Sequence, residues 1–164
     1  MWVSQHAHCT TIVVRPDTNE DPAAPIVVGT DTTEVSSHAL AYAFEQASFQ
    51  RRPLTVAHSF VDYVQGGYGV FNLPDEDLEG LAAERRAISE SLAGLREKFV
   101  DVDVKTELAR GPAAAFLLRA SERAGMLVVG SRQRSLPAAM LGGAVSRSVV
   151  EHATCTVAVV PAAP

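Results

Sequence analysis

Short apolar blocks alternate along the chain with longer blocks in which apolar residues recur at helical spacing. Four of the short blocks are dominated by apolar, largely β-branched residues and are bounded by glycine, proline or polar side chains, a pattern typical of buried strands. A fifth block alternates apolar and polar positions, which predicts a strand with one solvated face at a sheet edge. These five predicted strands span residues 26–31, 54–60, 102–108, 126–129 and 156–160.

The intervals between the strands favour helices, because their apolar side chains fall three, four or seven residues apart and so lie on one face. The four predicted helices cover residues 36–50 with Ser36 as the N-cap, residues 75–98, a segment that begins at Gly111 and Pro112, and residues 144–153. By contrast, residues 61–74 are rich in glycine and tyrosine and show no periodicity. They predict a long mobile loop at the carboxyl end of the second strand.

This order of elements predicts the fold. Five strands alternating with four helices, with every connection long enough for a right-handed crossover, indicate a three-layer α/β sandwich around a five-stranded parallel sheet. Ligands of such sheets bind outside the carboxyl ends of the strands, where the strand order reverses. Thr30 with Asp31, Ser59 and Gly130 all lie at predicted strand ends. We therefore expect these residues to converge on one site.

Composition narrows the class of protein. The chain has 164 residues, of which 47% are hydrophobic and 20% charged, enough for one well-buried domain. A net charge of -5 disfavours nucleic-acid and anionic-membrane binding, because both need a basic surface. No apolar run approaches the length of a membrane span, and the first ten residues lack the layout of a signal peptide. We therefore expect a cytoplasmic protein.

The two cysteines leave two alternatives for the amino-terminal segment. Cys9 and Cys155 are too few for a disulfide framework, and the reducing cytosol would keep them as thiols, although a disulfide between them is one alternative. A metal site built from His6, His8 and Cys9 is the other. The period-two geometry of a strand disfavours the metal site, because it puts Cys9 on the face opposite His8.

A fragment of internal repeat lies at the two ends of the chain. Residues 8–16 (HCTTIVVRP) align with residues 154–161 (TCTVAVVP) when Cys9 is placed on Cys155. The simplest explanation is that the first segment is the last strand of a preceding, similar domain. The proline-rich, acidic stretch that follows predicts a linker. We therefore expect residues 1–24 to form a remnant strand with its linker, and residues 25–164 to form the domain.

Glycines near the carboxyl terminus indicate an anion-binding site. Gly142 and Gly143 precede the last predicted helix, whose amino end would face the loop after Gly130 with unpaired N–H groups and a positive dipole end. Within reach of a phosphate there, the loop carries Arg132 and the helix carries Ser146. The full set of predicted ligand-binding residues is Thr30, Asp31, Ser59, Gly130, Arg132, Gly143, Ala144 and Ser146.

Three stretches together resemble a universal stress protein domain of the UspA-like superfamily over residues 25–161: IVVGTD before a helix begun by serine, the strand end AHSF, and VVGSRQR through LGGAVSRSVVEHATCTVAVVP. The resemblance implies a Rossmann-like, adenine-nucleotide alpha-hydrolase-like fold with strand order 3-2-1-4-5, and a stress-response role. The repeat fragment resembles the junction of tandem universal stress proteins, so the chain resembles a second domain with the last strand of the first attached. The family also implies a homodimer through the edge strand Thr156–Val160, where Thr10–Val14 is expected to pair.

The resemblance further implies ATP, with magnesium, as the ligand. Nucleotide-binding members carry G-x2-G-x9-G-[ST] around the phosphates and an aspartate after the first strand. Here Gly130, Gly143 and Asp31 match, whereas Gln133 replaces the second glycine and Ala144 replaces the hydroxyl residue. The two replacements together cost about 3 to 5 kcal/mol, which would convert a micromolar site into a millimolar one.

Sequence motifs give little support for catalysis. The chain has no G-x-x-x-x-G-K-[ST] phosphate loop, no nucleophile elbow and no lysine near the glycine loop, so we expect a protein that is not an enzyme, with weak ATP hydrolysis as the one compatible activity. The favoured hypothesis is a regulatory module in which ATP sets the position of the loop 61–74. Gln133 and Ala144 favour the alternative, a nucleotide-free interaction module that acts through dimerisation. An enzyme acting on a nucleotide or a small acidic ligand is the third hypothesis.

Overall fold

A computed structural model describes residues 7–16, 21–60, 71–72, 78–131 and 144–162. Within these ranges the chain forms one sheet of seven strands. In chain order the strands are β1 (Thr11–Val13), β2 (Ile26–Thr30), β3 (Leu54–Phe60), β4 (Phe71–Asn72), β5 (Val104–Arg110), β6 (Met126–Ser131) and β7 (Thr156–Pro161).

The strands lie side by side in the order β1-β7-β6-β2-β3-β5-β4. The five inner strands run parallel, whereas β1 is antiparallel to β7 and β4 is antiparallel to β5. The predicted α/β fold with a mostly parallel sheet is therefore confirmed. The predicted count of five strands and the order 3-2-1-4-5 differ from this sheet in detail, because a short antiparallel strand extends each edge.

Four described helices cover the two faces of the sheet. They are α1 (Glu34–Gln50), α2 (Leu78–Lys98), α3 (Ala113–Ser121) and α4 (Ala144–His152). Even-numbered strand residues pack against α1 and α2 on one face, and odd-numbered strand residues pack against α3 and α4 on the other. This alternation follows from the period of two in a strand, and it produces the three predicted layers.

Each face has its own apolar cluster. On the first face Leu40 and Phe44 of α1 are 2% and 0% exposed, and Phe44 packs against Phe99 with 5.8 Å between ring centroids. On the second face α3 approaches β2 closely, since a Cβ atom added at Gly29 would lie 2.9 Å from Leu117 Cδ1. Burying a large apolar side chain contributes about 1.5–3 kcal/mol, so these contacts fix the helices on the sheet.

Some predicted boundaries were wrong. Helix α1 begins at Glu34 after the N-cap Thr33, and Ser36 lies inside the first turn, where its hydroxyl donates to the Thr33 carbonyl at 2.8 Å. Strand β5 occupies residues 104–110 rather than 102–108. Helix α3 begins at Ala113, directly after its N-cap Pro112, rather than at Gly111.

The predicted loop 61–74 lies mostly outside the described residues. Two of its residues, Phe71 and Asn72, form β4 and pair with Arg110 and Ala109 at the end of β5. A strand of two residues leaves no periodic signal, so the sequence could not show it. The next described element, α2, begins at Leu78.

The repeat segment pairs within the chain. Strand β1 lies antiparallel to β7 with Thr11 opposite Val159, Ile12 opposite Ala158 and Val13 opposite Val157. The side chain of Arg15 then donates to the carbonyl of Val150 in α4. The expected pairing of the two repeat strands is thus present inside one chain, and it occupies the outer edge of β7.

Both cysteines are free thiols, so the alternative of a Cys9–Cys155 disulfide was wrong. Burial raises the pKa of the Cys155 thiol to about 11, whereas Cys9 is exposed. Within the described ranges no group of three histidine, cysteine, aspartate or glutamate side chains could hold a metal ion, and His6 lies outside those ranges. None of the described helices is long and apolar enough to cross a membrane.

Candidate functional site

The strand order reverses between β2 and β6. From β2 the chain passes into α1 on one face, whereas from β6 it leads to α4 on the other. The β2–β6 ladder extends from Ile26 opposite Met126 to Val28 opposite Val128. Beyond this point β2 continues to pair with β3 as far as Thr30, and β6 continues to pair with β7. The two strands therefore separate at their carboxyl ends, and this is where sheets of this class bind ligands.

Asp31 follows β2 at this separation and is exposed. Its Oδ1 atom accepts hydrogen bonds from the Thr33 backbone N–H at 3.1 Å and from the Thr33 hydroxyl at 2.6 Å. Such a turn, closed by an aspartate side chain on the backbone two residues later, is a common way to start a helix. The carboxylate of Asp31 is thus held in a defined direction at the protein surface.

The same turn contains a residue in an uncommon conformation. Thr32 has φ of 61°, in the left-handed region that β-branched residues rarely occupy. Two hydrogen bonds hold it there: its backbone N–H donates to Thr30 Oγ1 at 3.1 Å, and its hydroxyl donates to the Asp31 carbonyl at 2.7 Å. Backbone strain of this kind is often found at ligand-binding turns.

Thr30 is buried, with 8% of its surface exposed. Its hydroxyl lies 3.0 Å from Ser36 Oγ. Because the Ser36 hydroxyl already donates to the Thr33 carbonyl, the Thr30 hydroxyl is the donor in this pair, and it accepts the Thr32 N–H. The structure thus places Thr30 beside the site as a support for the turn, with its hydroxyl fully engaged inside the protein.

His58 is a member of the site region that the sequence analysis missed. The side chain is buried near the end of β3, with Nδ1 2.8 Å from the Thr30 carbonyl oxygen and Nε2 3.0 Å from Glu84 Oε2 of α2. Its ring also stacks on Phe60, with 6.3 Å between centroids. The available signal was a histidine that follows the apolar residues Val56 and Ala57 in a predicted buried strand.

Ser59 lies at the end of β3, but its hydroxyl turns towards β5. It donates to the carbonyl of Gly111, which follows β5 and has a φ of 118° that favours glycine. The Gly111 N–H in turn donates to the Phe60 carbonyl at 3.0 Å. Since β5 and β2 lie on opposite sides of β3, the Ser59 hydroxyl points away from the β2–β6 separation, and its ligand role stays a prediction.

The β6 side of the separation is described as far as Ser131. Gly130 is partly exposed near the end of β6, opposite Val160 of β7. Helix α4 begins at Ala144, and Ser146 lies partly buried in its first turn. The predicted ligand residues Arg132 and Gly143 lie outside the described residues, together with Gln133 and Gly142. The structure thus brings Thr30, Asp31 and Gly130 to one region.

Comparison with known proteins decides the family. The family model for the universal stress protein family matches residues 23–161. The chain belongs to the universal stress protein family. Two universal stress proteins of Mycobacterium tuberculosis are similar along nearly all of it: Rv2623 is 30% identical over 158 residues and Rv2005c is 33% identical over 159 residues. In both cases the match covers 94% of this chain and 52% of the relative, so the chain spans about half the length of these relatives.

Solved universal stress proteins share the fold. UspA from Lactobacillus plantarum is 20% identical with a TM-score of 0.63, covering 87% of this chain and 99% of that one. A universal stress protein in complex with cAMP is 20% identical with a TM-score of 0.62, covering 86% and 98%. One from Archaeoglobus fulgidus in complex with dAMP is 22% identical with a TM-score of 0.56, covering 83% and 96%.

Proposed function

We propose that this universal stress protein domain binds an adenine nucleotide, ATP with magnesium, where β2 and β6 separate, and acts as a regulatory stress-response module. The separation of the two strands beyond Val28 and Val128, with the exposed carboxylate of Asp31 beside it, is the observation that carries the proposal. Solved family members that hold cAMP and dAMP support the adenine nucleotide as the ligand class.

The residues divide into two groups around such a ligand. Asp31 accepts hydrogen bonds from the ribose hydroxyls or the adenine amino group, because an ionised carboxylate only accepts. At the other end, Gly130, Arg132, Gly143 and the first turn of α4 with Ser146 receive the phosphates. Unpaired N–H groups at the start of a helix favour an anion, and Ala144 leaves these backbone donors in place.

Calorimetric titration tests the proposal and its phosphate end together. In the native chain the affinities for AMP and ATP with magnesium should lie within about tenfold of one another, because Gln133 and Ala144 remove contacts made by the outer phosphates. The double variant Gln133→Gly with Ala144→Ser should strengthen ATP binding by about a thousandfold and change AMP binding much less. No binding of either nucleotide at millimolar concentration by both proteins would reject the proposal.

Titration of a variant at Asp31 tests the other end of the proposed site. Asp31→Asn keeps the acceptor oxygen that the turn uses and removes the negative charge, so both nucleotides should lose about tenfold or more in affinity. Thr33→Val is the matched control, because it removes the hydroxyl that donates to Asp31 and keeps the carboxylate. Equal binding by the native chain and Asp31→Asn would exclude Asp31 from the site.

The β1 edge supports a second candidate function, an interaction module that acts through a copy of the same fold. Ile12 and Val14 are 48% and 74% exposed, whereas their repeat counterparts Ala158 and Val160 are 0% and 6% exposed in the cluster formed with α1. The β1–β7 register is symmetric under the repeat alignment, since Ile12 lies opposite its own counterpart. A second domain of this fold, bearing its own α1, would therefore bury the two exposed side chains.

This second function predicts a homodimer. Its interface would be formed at β1, which pairs with the edge strand Thr156–Val160 of its own chain and covers it. Sedimentation of the native chain should show reversible association, and Ile12→Ser with Val14→Ser should weaken it by tenfold or more. Val100→Ser, at a residue that is 85% exposed elsewhere, is the matched control. A native chain that stays monomeric at millimolar concentration would reject the homodimer.

The division of the chain into a remnant strand with its linker (residues 1–24) and a domain (residues 25–164) stays a prediction.

A further inference from the structure

His58 is held between two hydrogen-bond acceptors. The side chain is 7% exposed, with Nδ1 2.8 Å from the Thr30 carbonyl oxygen and Nε2 3.0 Å from Glu84 Oε2. A carbonyl oxygen accepts and never donates, so Nδ1 must carry a hydrogen. The Glu84 contact then requires a second hydrogen, on Nε2 or on the carboxyl group. Both contacts are therefore satisfied together only when His58 and Glu84 hold one proton more than a neutral imidazole beside a carboxylate.

Charged residues lie on the elements next to the ring. Glu84 contacts it from α2, with 34% of its side chain exposed, and Asp31 follows Thr30 at the end of β2. On β5, the guanidinium carbon of Arg110 lies 5.8 Å from the Phe60 ring centroid, and Phe60 stacks on His58.

The Thr30 carbonyl connects this pair to the turn at the candidate site. Thr30 immediately precedes Asp31, and its hydroxyl receives the Thr32 N–H and contacts Ser36 of α1. The His58 ring also holds the Thr30 carbonyl, so that both the hydroxyl and the carbonyl of Thr30 are fixed by hydrogen bonds. The backbone that leads from Thr30 to Asp31 is therefore fixed as well. Glu84 extends the same connection to α2, the helix that follows the segment 61–77.

We propose that His58 is a positioning residue of the nucleotide site, and that its extra proton ties α2 to the end of β2, so that nucleotide binding by this chain is linked to proton binding. This inference rests on the proposed adenine-nucleotide function. It assigns a role to a buried histidine that the ligand contacts themselves do not use.

The direction of the linkage follows from the geometry. An imidazole ordinarily changes charge between about pH 5 and pH 8. When the ring loses the extra proton, Nδ1–H keeps the Thr30 carbonyl, but the lone pair of Nε2 then faces the Glu84 carboxylate and the contact becomes repulsive. Nucleotide affinity should therefore fall by about tenfold when the pH is raised enough to remove the extra proton. By reciprocity, binding near neutral pH takes up protons.

The variant Glu84→Gln distinguishes the effect of the extra proton from the effect of the two hydrogen bonds of the His58 ring. The amide N–H of a glutamine at this position can donate to a neutral Nε2 while Nδ1–H still donates to Thr30, so both contacts persist without the extra proton. The variant should bind AMP at about pH 6 within about twofold of the native chain and keep that affinity at about pH 8. Glu90→Gln on the same helix is the matched control, because it removes a carboxylate from the exposed pair with Arg86 and should keep the native pH profile.

Nitrogen NMR of the His58 ring is the readout that does not depend on nucleotide. At about pH 6 both ring nitrogens of the native chain should be protonated, and in Glu84→Gln one of them should be bare at about pH 8. A native ring with one bare nitrogen at about pH 6, or identical pH profiles of AMP affinity for the native chain and Glu84→Gln, would overturn the inference. If no protein binds nucleotide but both nitrogens are protonated, the proposed function fails, and the coupling to the site fails with it.

Discussion

Strands β1 and β7 carry copies of one sequence repeat, yet they differ in how deeply they are buried. On the side of the sheet where α1 packs, Ala158 and Val160 of β7 are almost inaccessible to solvent, whereas Ile12 and Val14 of β1 are substantially exposed. On the other side the difference is smaller, because Val13 packs against the same cluster as Val159. The burial of a strand face is therefore decided by the helix that covers it, and not by the residues of the strand.

The largest expected difference in stability between variants of β7 and β1 comes from a charge placed on the face of the sheet that α1 covers. Val160→Asp buries an unpaired carboxylate under α1 and should lower the free energy of unfolding by at least about 4 kcal/mol. Val14→Asp changes the matching β1 position, which is 74% exposed, and should cost less than about 0.5 kcal/mol at concentrations where the chain is monomeric. Urea denaturation of both variants measures this difference. A similar loss in both would mean that β1 is covered in solution, as the homodimer requires.

The reactivity of the two thiols also compares the two repeat segments, because Cys9 and Cys155 are repeat counterparts. Burial raises the pKa of Cys155 to about 11, so at about pH 8 only about one of its thiols in a thousand is ionised, and the thiolate is the reactive form. In the native chain the alkylation of Cys155 should be at least a hundredfold slower than that of the exposed Cys9.

The pH dependence of this reaction has a defined sign. In Cys9→Ser, alkylation of Cys155 should accelerate about tenfold per pH unit from about pH 8 towards its raised pKa. Because the pKa is raised in the folded chain, folding stability should also decrease as the pH rises from about 9 to about 11. Mass spectrometry of the alkylated chain follows the rate, and rapid labelling of Cys155 at about pH 8 would show that the β7 region opens.

The smallest expected difference in stability is on the other face of the sheet, where Val13 and Val159 pack against the same apolar cluster. Val159→Ala removes two methyl groups from a residue that is 3% exposed and should cost about 2 kcal/mol. Val13→Ala, at the partly buried counterpart, should cost about 1 kcal/mol or less. Thermal unfolding of the two variants compares them. Equal costs would indicate that β1 is as firmly packed as β7.

The sequence was sufficient for the elements whose signal is local. The strand at 54–60 and the start of β6 at Met126 follow from short apolar runs, and the start of α4 follows from the glycines before it. The helix after β2 was placed two residues late, because Thr33 and Ser36 are both residue types that cap helices. Only the hydrogen bonds of the turn distinguish the cap from the residue inside the first turn.

The candidate site was predictable in part. Asp31 and Gly130 lie at strand ends, which the alternation of elements reveals. The contacts of His58 could not be found in this way, because its partners Thr30 and Glu84 lie 28 and 26 residues away along the chain. Ser59 was a reasonable prediction on position alone, and its hydroxyl bond to Gly111 depends on β5 lying beside β3. Long-range pairing of this kind becomes visible only once the sheet is assembled.

The position of β1 has a practical consequence for producing this protein. The family match covers residues 23–161, so a chain trimmed to those limits would lose β1 and leave the outer edge of the apolar strand TVAVVP unpaired. Unpaired apolar edges recruit further strands and promote aggregation. A trimmed protein would therefore be prone to precipitate during purification, and keeping β1 in the expressed chain should prevent this by leaving the outer edge of β7 paired.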